Sequence, residues 1–395
     1  MDPDLARRLT SAEGAEALDA ARAETDPDSL GAATRLRSRF DPDLAAAALD
    51  QVSLRSRAVD KIGPAGAQMM WTRDGLEQAT RGPVSAWRAA RLRQAGIRRV
   101  VDLGCACGAD SRACLDAGLE VTAVEIDPAV AELARFNLPG ARVLCGDVEA
   151  LADELMAGAA ATAVMLDPAR RTGRGRSWRI EDIRPSWGFV RQMLAGPFTT
   201  VVKLGPGVPR ELLPEGVRVD WVGHRRDLVE AALWSGTESG SGGSRHSAVL
   251  VGEDPSAPLT LLGGEPALST GPVADHLAEP HPAVIRARAM RAAASGADVH
   301  LPAPGIAYLL APEPVASPWL TWFRILAEMP LAEKVLRSWV REHRVGTLEI
   351  KVRGLDVDPA ALRRRLRPRG PNRATFILMP TSEGARALVA RRVEG

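Results

Sequence analysis

Val100-Val-Asp-Leu-Gly-Cys-Ala-Cys-Gly108, followed by Val121-Thr-Ala-Val-Glu-Ile-Asp-Pro128, decides how the chain is read. A short apolar run ends in an acid, a glycine loop follows, a helix-like stretch comes next, and a second apolar run ends in another acid. Strand, loop, helix and strand in that order form a β-loop-α-β cradle, the unit that receives nucleotide-like ligands at its first turn. Gly104 and Gly108 let that turn bring its backbone close to a ligand, where a Cβ would collide.

The acids say which ligand. Asp102, at the carboxyl end of the first strand, suits an ammonium group met directly through the loop or through water. Glu125 lies roughly 20 residues on, at the tip of the second strand, where an acid chelates two ribose hydroxyls. Ala141-Arg-Val-Leu-Cys-Gly-Asp147 reads as a third strand with an acid suited to an adenine amino group. Dinucleotides fit poorly. They require G-x-G-x-x-G, with the pyrophosphate on a helix N-terminus, whereas Ala106 holds the middle position here and Ala109-Asp110 opens the helix. An acid there repels pyrophosphate but not a ligand without phosphates. The pattern points to S-adenosyl-L-methionine, with Asp102, Gly104, Cys105, Gly108, Glu125, Ile126, Asp147, Val148 and Thr72 as its expected contacts.

At this point the chain resembles the class I S-adenosylmethionine-dependent methyltransferases, and within them the bacterial group that carries a C-terminal THUMP-like domain. The resemblance rests on Trp71-Thr-Arg-Asp-Gly-Leu-Glu-Gln-Ala-Thr80, Asp102-Leu-Gly-Cys-Ala-Cys-Gly108, Leu166-Asp-Pro-Ala-Arg-Arg171, Leu348-Glu-Ile-Lys-Val-Arg-Gly354 and Arg369-Gly-Pro-Asn372. The glycine loop is specific to the superfamily, the combination to the group. The resemblance implies a transferase that modifies RNA, tRNA or rRNA, without implying a particular nucleotide. Its 71–80 element is similar to one that closes over the cofactor in trimethylguanosine-synthase-like enzymes; read from the residues alone, Thr72 or Asp74 caps a helix there.

Composition bounds the class. With 395 residues, 46% hydrophobic and 25% charged, the chain fits two or three globular domains. A net charge of +2 hides an uneven distribution: residues 341–373 carry ten Lys/Arg against four Asp/Glu, while the first 30 residues are acidic. The four cysteines, at 105, 107, 114 and 145, lack a standard zinc spacing and read as small packing residues, so no metal site is expected. The start Met1-Asp-Pro-Asp lacks a basic, then apolar, leader, and no apolar run reaches 18 residues. The expected setting is the reducing cytoplasm, with no membrane contact and no obligate protein partner.

The expected fold is α/β: a Rossmann-like, doubly wound, mostly parallel seven-stranded sheet with a helical prefix and a smaller C-terminal αβ domain. Boundaries fall at 1–95 for the prefix, 96–252 for the cofactor domain, 253–283 for a Pro/Gly-rich connector and 284–395 for the THUMP-like unit. Asp41-Pro42 caps a helix reaching about residue 60, and another spans 83–95. Strands are expected at 98–103, 120–125, 141–145, 161–166, 198–204 and 217–222. Residues 228–235 and 245–251 read either as helix and strand or as a hairpin around Gly236-Thr-Glu-Ser-Gly-Ser-Gly-Gly-Ser244. In the last unit, strands are expected at 306–311, 322–327, 346–353 and 374–379, and helices at 331–343 and 359–367.

Ala163-Val-Met-Leu-Asp-Pro-Ala-Arg-Arg171 puts an acid after the fourth strand, facing the methyl group by topology. Many amine methyltransferases carry Asp/Asn-Pro-Pro-aromatic there, where acid and backbone carbonyl accept the target N–H groups and steer the nitrogen lone pair. Asp167 and Pro168 are kept, but Ala169 and Arg170 replace the second proline and the aromatic, which weakens transfer of that mechanism. An arginine plane stacks on a base or clamps phosphate, so Asp167, Pro168 and Arg170 are the expected reacting-site residues. Five arginines lie between Asp167 and Arg179, among them Arg171. Trp178 and Trp187 read as base platforms or core anchors, Trp187 as core. The fifth strand, Val201-Val-Lys-Leu-Gly-Pro206, has no cysteine, which disfavours covalent catalysis; Lys203 reads as a strand-end residue at the pocket rim or in solvent.

Lys351, Arg353, Arg363, Arg364, Arg365 and Arg373 are expected to bind RNA phosphates along with Arg171, since counterion release supplies most non-specific affinity. The competing readings are a solvated helix face, a methyltransferase for small molecules or proteins, and a non-catalytic binding module.

Overall fold

The computed structural model describes residues 1–156, 162–170, 180–236, 245–264 and 266–393. The chain divides into two compact units. One comprises Met1–Arg225 with Val229–Arg245 and Val249–Leu259; the other comprises Thr260–Gly395 with Arg226–Leu228 and His246–Ala248.

The larger sheet and a small pair are built from β1 (Arg99–Leu103), β2 (Glu120–Glu125), β3 (Arg142–Cys145), β4 (Thr162–Leu166), β5 (Ala169–Arg170), β6 (Ile183–Arg184), β7 (Thr199–Leu204), β8 (Arg218–His224), β9 (Asp227–Ser235), β10 (His246–Val251) and β11 (Leu259–Leu262). The sheet order is β11-β10-β8-β9-β7-β4-β1-β2-β3, with β5 and β6 forming a separate two-stranded pair. Strands β3, β2, β1, β4 and β7 run parallel, and β9 is antiparallel to β7. β4 and β7 are buried along their whole length, as expected of central parallel strands covered on both faces.

This is the doubly wound architecture the sequence implies, with two corrections. β10 and β11 carry the sheet from seven to nine strands. Residues 227–235 and 246–251 are both strands, yet β8 lies between them, so they are not a hairpin. β9 alternates too little to reveal itself, because six of its nine residues are buried in a row. Most of the 236–244 loop lies outside the described residues.

Helices of the prefix follow their caps. Asp41 accepts from the Asp43 and Leu44 N–H groups, and Pro42 opens a helix that runs to Ile62. Alanines let the helices Pro3–Leu9, Ala12–Arg22, Leu30–Arg37 and Pro42–Ile62 pack closely around Leu9, Leu18, Leu36 and Leu44, against Leu133 of the helix Pro128–Asn137. No described helix is long and apolar enough to cross a membrane.

The second unit contains β12 (His276–Pro280), β13 (Leu309–Ala311), β14 (Leu320–Pro330), β15 (Val345–Val352), β16 (Asn372–Thr381) and β17 (Gly384–Arg392). They form one sheet in the order β13-β12-β14-β17-β16-β15. The helices Glu333–Glu342 and Pro359–Leu366 contribute Leu336, Val340, Leu362 and Leu366 to a core on one face, while Ile377, Leu388, Phe323 and Tyr308 build a second core on the other. β12 lies within the stretch expected as a connector and ends in a proline. β17 was not anticipated: it is rich in alanine, and it pairs with β16 through a tight turn whose Gly384 has φ +101°.

Candidate cofactor and acceptor site

A cavity of about 1070 Å³ opens at the carboxyl ends of the parallel strands, bordered by Asp102, Gly104, Glu125, Asp147, Asp167 and Lys203. It lies where the strand order reverses between β1 and β4, the position at which doubly wound sheets bind ligands.

The loop after β1 builds its floor. Gly104 sits at φ +105° with open space where a Cβ would stand, so its backbone conformation is what requires glycine. Ala106 adopts φ +48°, and its N–H donates to Glu125 Oε2 at 2.9 Å. Glu125 also accepts from Asp127 N at 2.9 Å, so one carboxylate locks the loop and the turn after β2. Gly108 faces elsewhere: a Cβ there would lie 2.9 Å from Leu138, so this glycine serves the packing of the helix Ala109–Asp116.

Asp102 is buried and accepts from Ser111 Oγ at 2.6 Å. Burial raises its carboxyl to about 7, against the opposing pull of the Ser111 hydrogen bond. Beside it runs a chain of ion pairs: Glu230 to Arg88, Arg88 to Asp110, Asp110 to Lys203 at 2.6 Å, and Lys203 to Asp167 at 2.6 Å. Burial alone lowers an ammonium, but the Asp110 and Asp167 carboxylates override it and hold Lys203 above its ordinary value. Asp110 is likewise held ionised, because Lys203 and Arg88 outweigh its burial. Lys203 therefore borders the cavity, as the rim reading expected, and is buried, not in solvent. At this strand end, Asp110 and Asp167, two acids on other elements, draw the side chain inward.

Among the residues bordering the cavity stand six acids (Asp102, Asp110, Glu125, Asp147, Glu149, Asp167) against Arg184 and Lys203. That balance favours a cationic ligand. Ile126 is 66% exposed at the cavity wall, an apolar surface suited to the face of a purine. Val148 and Asp147 border it on the same side, and Asp147 Oδ1 accepts from the Glu149 N–H. The fit to a nucleoside with sulfonium and ammonium charges is good.

A roof comes from the prefix. Trp71, Gly75, Gln78 and Ala79 border the cavity. Asn137 fixes this segment to the glycine loop, accepting from Met70 N and donating to Met70 O and Cys107 O at 2.6–2.8 Å. Gln51 clasps Trp71 through both backbone groups. Thr72 caps the helix Arg73–Gln78 by accepting from Gly75 N, and is not among the residues bordering the cavity. Asn137 and Gln51 carried no sequence signal, being single amides outside any motif, whereas Gln78 lies in the 71–80 element without having been singled out.

Asp167 and Pro168 border the cavity on the β4 side, and the Asp167 side chain is 45% exposed. The backbone of Arg170 pairs with Ile183, and Ala169 with Arg184. Across from them, Ser186 donates through N–H and hydroxyl to Glu149, a clamp the sequence did not reveal. Arg171 and Trp178 lie outside the described residues; Trp187 is a buried core residue. Cys105, Cys107 and Cys114 are buried and unpaired, and Cys145 is exposed. Burial pushes the Cys105 and Cys107 thiols above their ordinary range, which leaves them protonated and poor nucleophiles.

In the second unit, Lys351 pairs with Glu279 at 2.8 Å, Arg353 lies over the Tyr308 ring and donates to Ala307 O, and Arg363 donates to Leu348 O. Arg365 pairs with Glu333. Arg364 and Arg373 are exposed.

The combination of fold and acid-lined cavity defines a Rossmann-like methyl-transfer enzyme, and comparison with known proteins agrees. Two strains of Mycobacterium tuberculosis, CDC 1551 and H37Rv, each carry an uncharacterized S-adenosylmethionine-dependent methyltransferase that is 31% identical over 368 residues, covering 89% of this chain and 96% of the relative. The crystal structure of a presumed methyltransferase from Porphyromonas gingivalis W83 shares the fold, with a TM-score of 0.74 at 20% identity, over 96% of this chain and 99% of that one. Residues 320–392 match the model of the THUMP domain-like family, and residues 2–58 match a domain of unknown function. The chain belongs to the S-adenosylmethionine-dependent methyltransferases, and S-adenosylmethionine is its cofactor.

Proposed function

We propose that this methyltransferase modifies a nitrogen of an RNA base, in tRNA or rRNA, by direct in-line transfer without a covalent bond to the protein. One observation carries the reading. Asp167 stands at the end of β4 with one oxygen fixed by Lys203, and its other oxygen accepts no hydrogen bond from the described residues. Bound S-adenosylmethionine supplies a methyl group already activated for displacement. Asp102 would receive its ammonium group, Glu125 its ribose hydroxyls, and Asp147, Ile126 and Val148 its adenine.

Lys203 holds Asp167 oriented, so its other oxygen accepts an N–H from the acceptor and turns the nitrogen lone pair inward. Positioning of this kind supplies most of the rate when the donor is already reactive. The protonated state of Cys105 and Cys107 favours transfer without a thiolate adduct. RNA as the acceptor is supported by the THUMP domain-like match and by the basic 341–373 stretch; Arg170, with Arg171 beside it, is the candidate for presenting the base.

Two measurements test this: nucleoside mass spectrometry of RNA from a deletion strain, and radiolabelled methyl incorporation into that RNA by the purified enzyme. A missing modified nucleoside, restored in vitro, is the expected result. Label entering protein or small molecules, with the RNA nucleosides unchanged, would replace RNA as the acceptor.

A further inference from the structure

The second unit has a basic rim of which the sequence motifs singled out only Arg369 and Arg373. It lies at the end of the six-stranded sheet where β15 and β16 begin and β17 finishes. Arg324 of β14 and Arg391 of β17 are direct cross-strand partners. β16 and β17 pair from Thr375 opposite Ala390, and Arg373 lies two residues before that first pair, at the same end of the sheet as Arg391 and Arg392. Like charges facing each other across antiparallel strands destabilise the pair, so this end of the sheet carries an electrostatic cost that a bound anion would remove.

Two turns meet beside these strands. A Cβ on Gly346 would stand 1.8 Å from Gly370 O, and one on Gly370 would stand 1.9 Å from Arg344 O, so the backbones touch. Asn372 seals the contact through its N–H to Arg344 O at 3.2 Å and its side chain to His343 O at 2.9 Å. Glycine and asparagine of the Arg369-Gly-Pro-Asn372 motif thereby gather Arg344, Arg367 and Arg369 at the rim. Arg344 and Arg367 hold φ +49° and +50°, where glycine or asparagine costs less. Left-handed arginines recur at Arg225 and Arg288, so that strain alone marks nothing; its coincidence with a like-charge strand pair and three further exposed arginines at one end does.

Arg344, Arg367, Arg369, Arg373, Arg391 and Arg392 are exposed. Ion pairs among the described residues of this unit engage Arg337, Lys351, Arg365 and Arg386. We infer that this rim is where the unit grips the phosphodiester backbone of RNA. The inference rests on the RNA reading made above and moves the grip away from Lys351, Arg353, Arg363 and Arg365, whose side chains are engaged within the fold.

The test is filter binding of bulk transfer RNA by the full-length protein across a potassium chloride series. The rim variant combines Arg344→Gly, Arg367→Gly, Arg373→Thr and Arg391→Thr. It should bind at least about tenfold more weakly near 100 mM salt, with a salt slope shallower by roughly 2–3, since each lost phosphate contact removes a little under one unit. Its thermal midpoint should hold or rise, because both the left-handed arginines and the like-charge pair are gone. A merely structural role predicts the opposite, affinity and midpoint falling together, and Arg344→Asn with Arg367→Asn provides a second fold-preserving pair. The competing variant Arg363→Ala, Arg364→Ala, Arg365→Ala should lose less than about threefold. Wild-type protein that binds RNA as well as the rim variant does overturns the rim while leaving the RNA reading intact. Wild-type protein that binds no RNA at low salt overturns both. Equal affinity for anionic lipid vesicles overturns the commitment to RNA.

Discussion

Asp102 shows how one residue's surroundings set a measurable proton balance. Its carboxyl is raised to about 7, above the ordinary unfolded value of about 3.9. Between those limits folding takes up a proton, so this group's contribution to stability falls as pH rises through the window and is constant above it. Asp102→Asn should therefore gain on the wild type from about pH 4 to 7 and keep a constant margin beyond, in denaturant titrations. An ammonium group bound beside Asp102 pulls the carboxyl back into its ionised form. Calorimetry in buffers of differing ionisation enthalpy should thus register close to one proton released per S-adenosylmethionine at pH 6 and little at pH 7.4; equal release at both would remove Asp102 from the ammonium contact. Glu125→Ala should weaken the cofactor by roughly 1.5–3 kcal/mol, the range for hydrogen bonds to a charged group, with some of the loss coming from the Ala106 N–H it leaves behind. Asp167→Ala should instead depress turnover far more than cofactor affinity.

At the scale of elements, the roof segment is held by a small apolar cluster of Leu54, Ala58, Met69, Trp71, Leu76 and Cys107 and by a few buried amides. Asn137→Ala strands the Met70 N–H and the Met70 and Cys107 carbonyls, at roughly 1–3 kcal/mol for each buried group left unpaired. Hydrogen exchange should quicken across Met69–Gln78 before the sheet is affected, and cofactor affinity should drop although Asn137 does not border the cavity. Protection unchanged in that segment would show that other contacts hold the roof. Gly75→Ala tests the same attachment from the other side. Its new Cβ would meet Cys107 Sγ at 2.6 Å and Thr72 Oγ1 at 2.7 Å, which forces the helix Arg73–Gln78 off the glycine loop.

Over the whole molecule the charges are sorted, and the net +2 conceals it. Acids concentrate around the cavity and arginines on the rim of the second unit. S-adenosylmethionine carries a sulfonium charge that its demethylated product lacks, so rising salt should weaken the cofactor more than the product; parallel titrations near 50 and 500 mM salt that shifted both equally would place the acids too far from the sulfur to matter. The sequence exposed the parts of this arrangement that follow from periodicity and strand-end acids. The parallel, doubly wound character of the sheet was implicit in alternating strands and helices, and Asp102, Glu125, Asp147 and Asp167 were all legible as acids at or just beyond the ends of apolar runs. What stayed hidden depended on distance in sequence. Arg88 meets Glu230 across 142 residues and Lys203 meets Asp110 across 93, and no local pattern announces either. The run Arg363-Arg-Arg365 drew attention by being contiguous, whereas the rim assembles arginines from separate turns and strands.

The bond between Lys203 and Asp167 also bears on how this enzyme can diverge. A lineage drifting toward an acceptor that prefers an amide at position 167 would, by changing that aspartate alone, leave an ammonium short of one counter-charge in a buried setting. Changing the lysine first would leave Asp110 and Asp167 facing each other unshielded. Neither single step is neutral, so the two positions are bound to move as a pair, and relatives with different targets should differ at both or at neither.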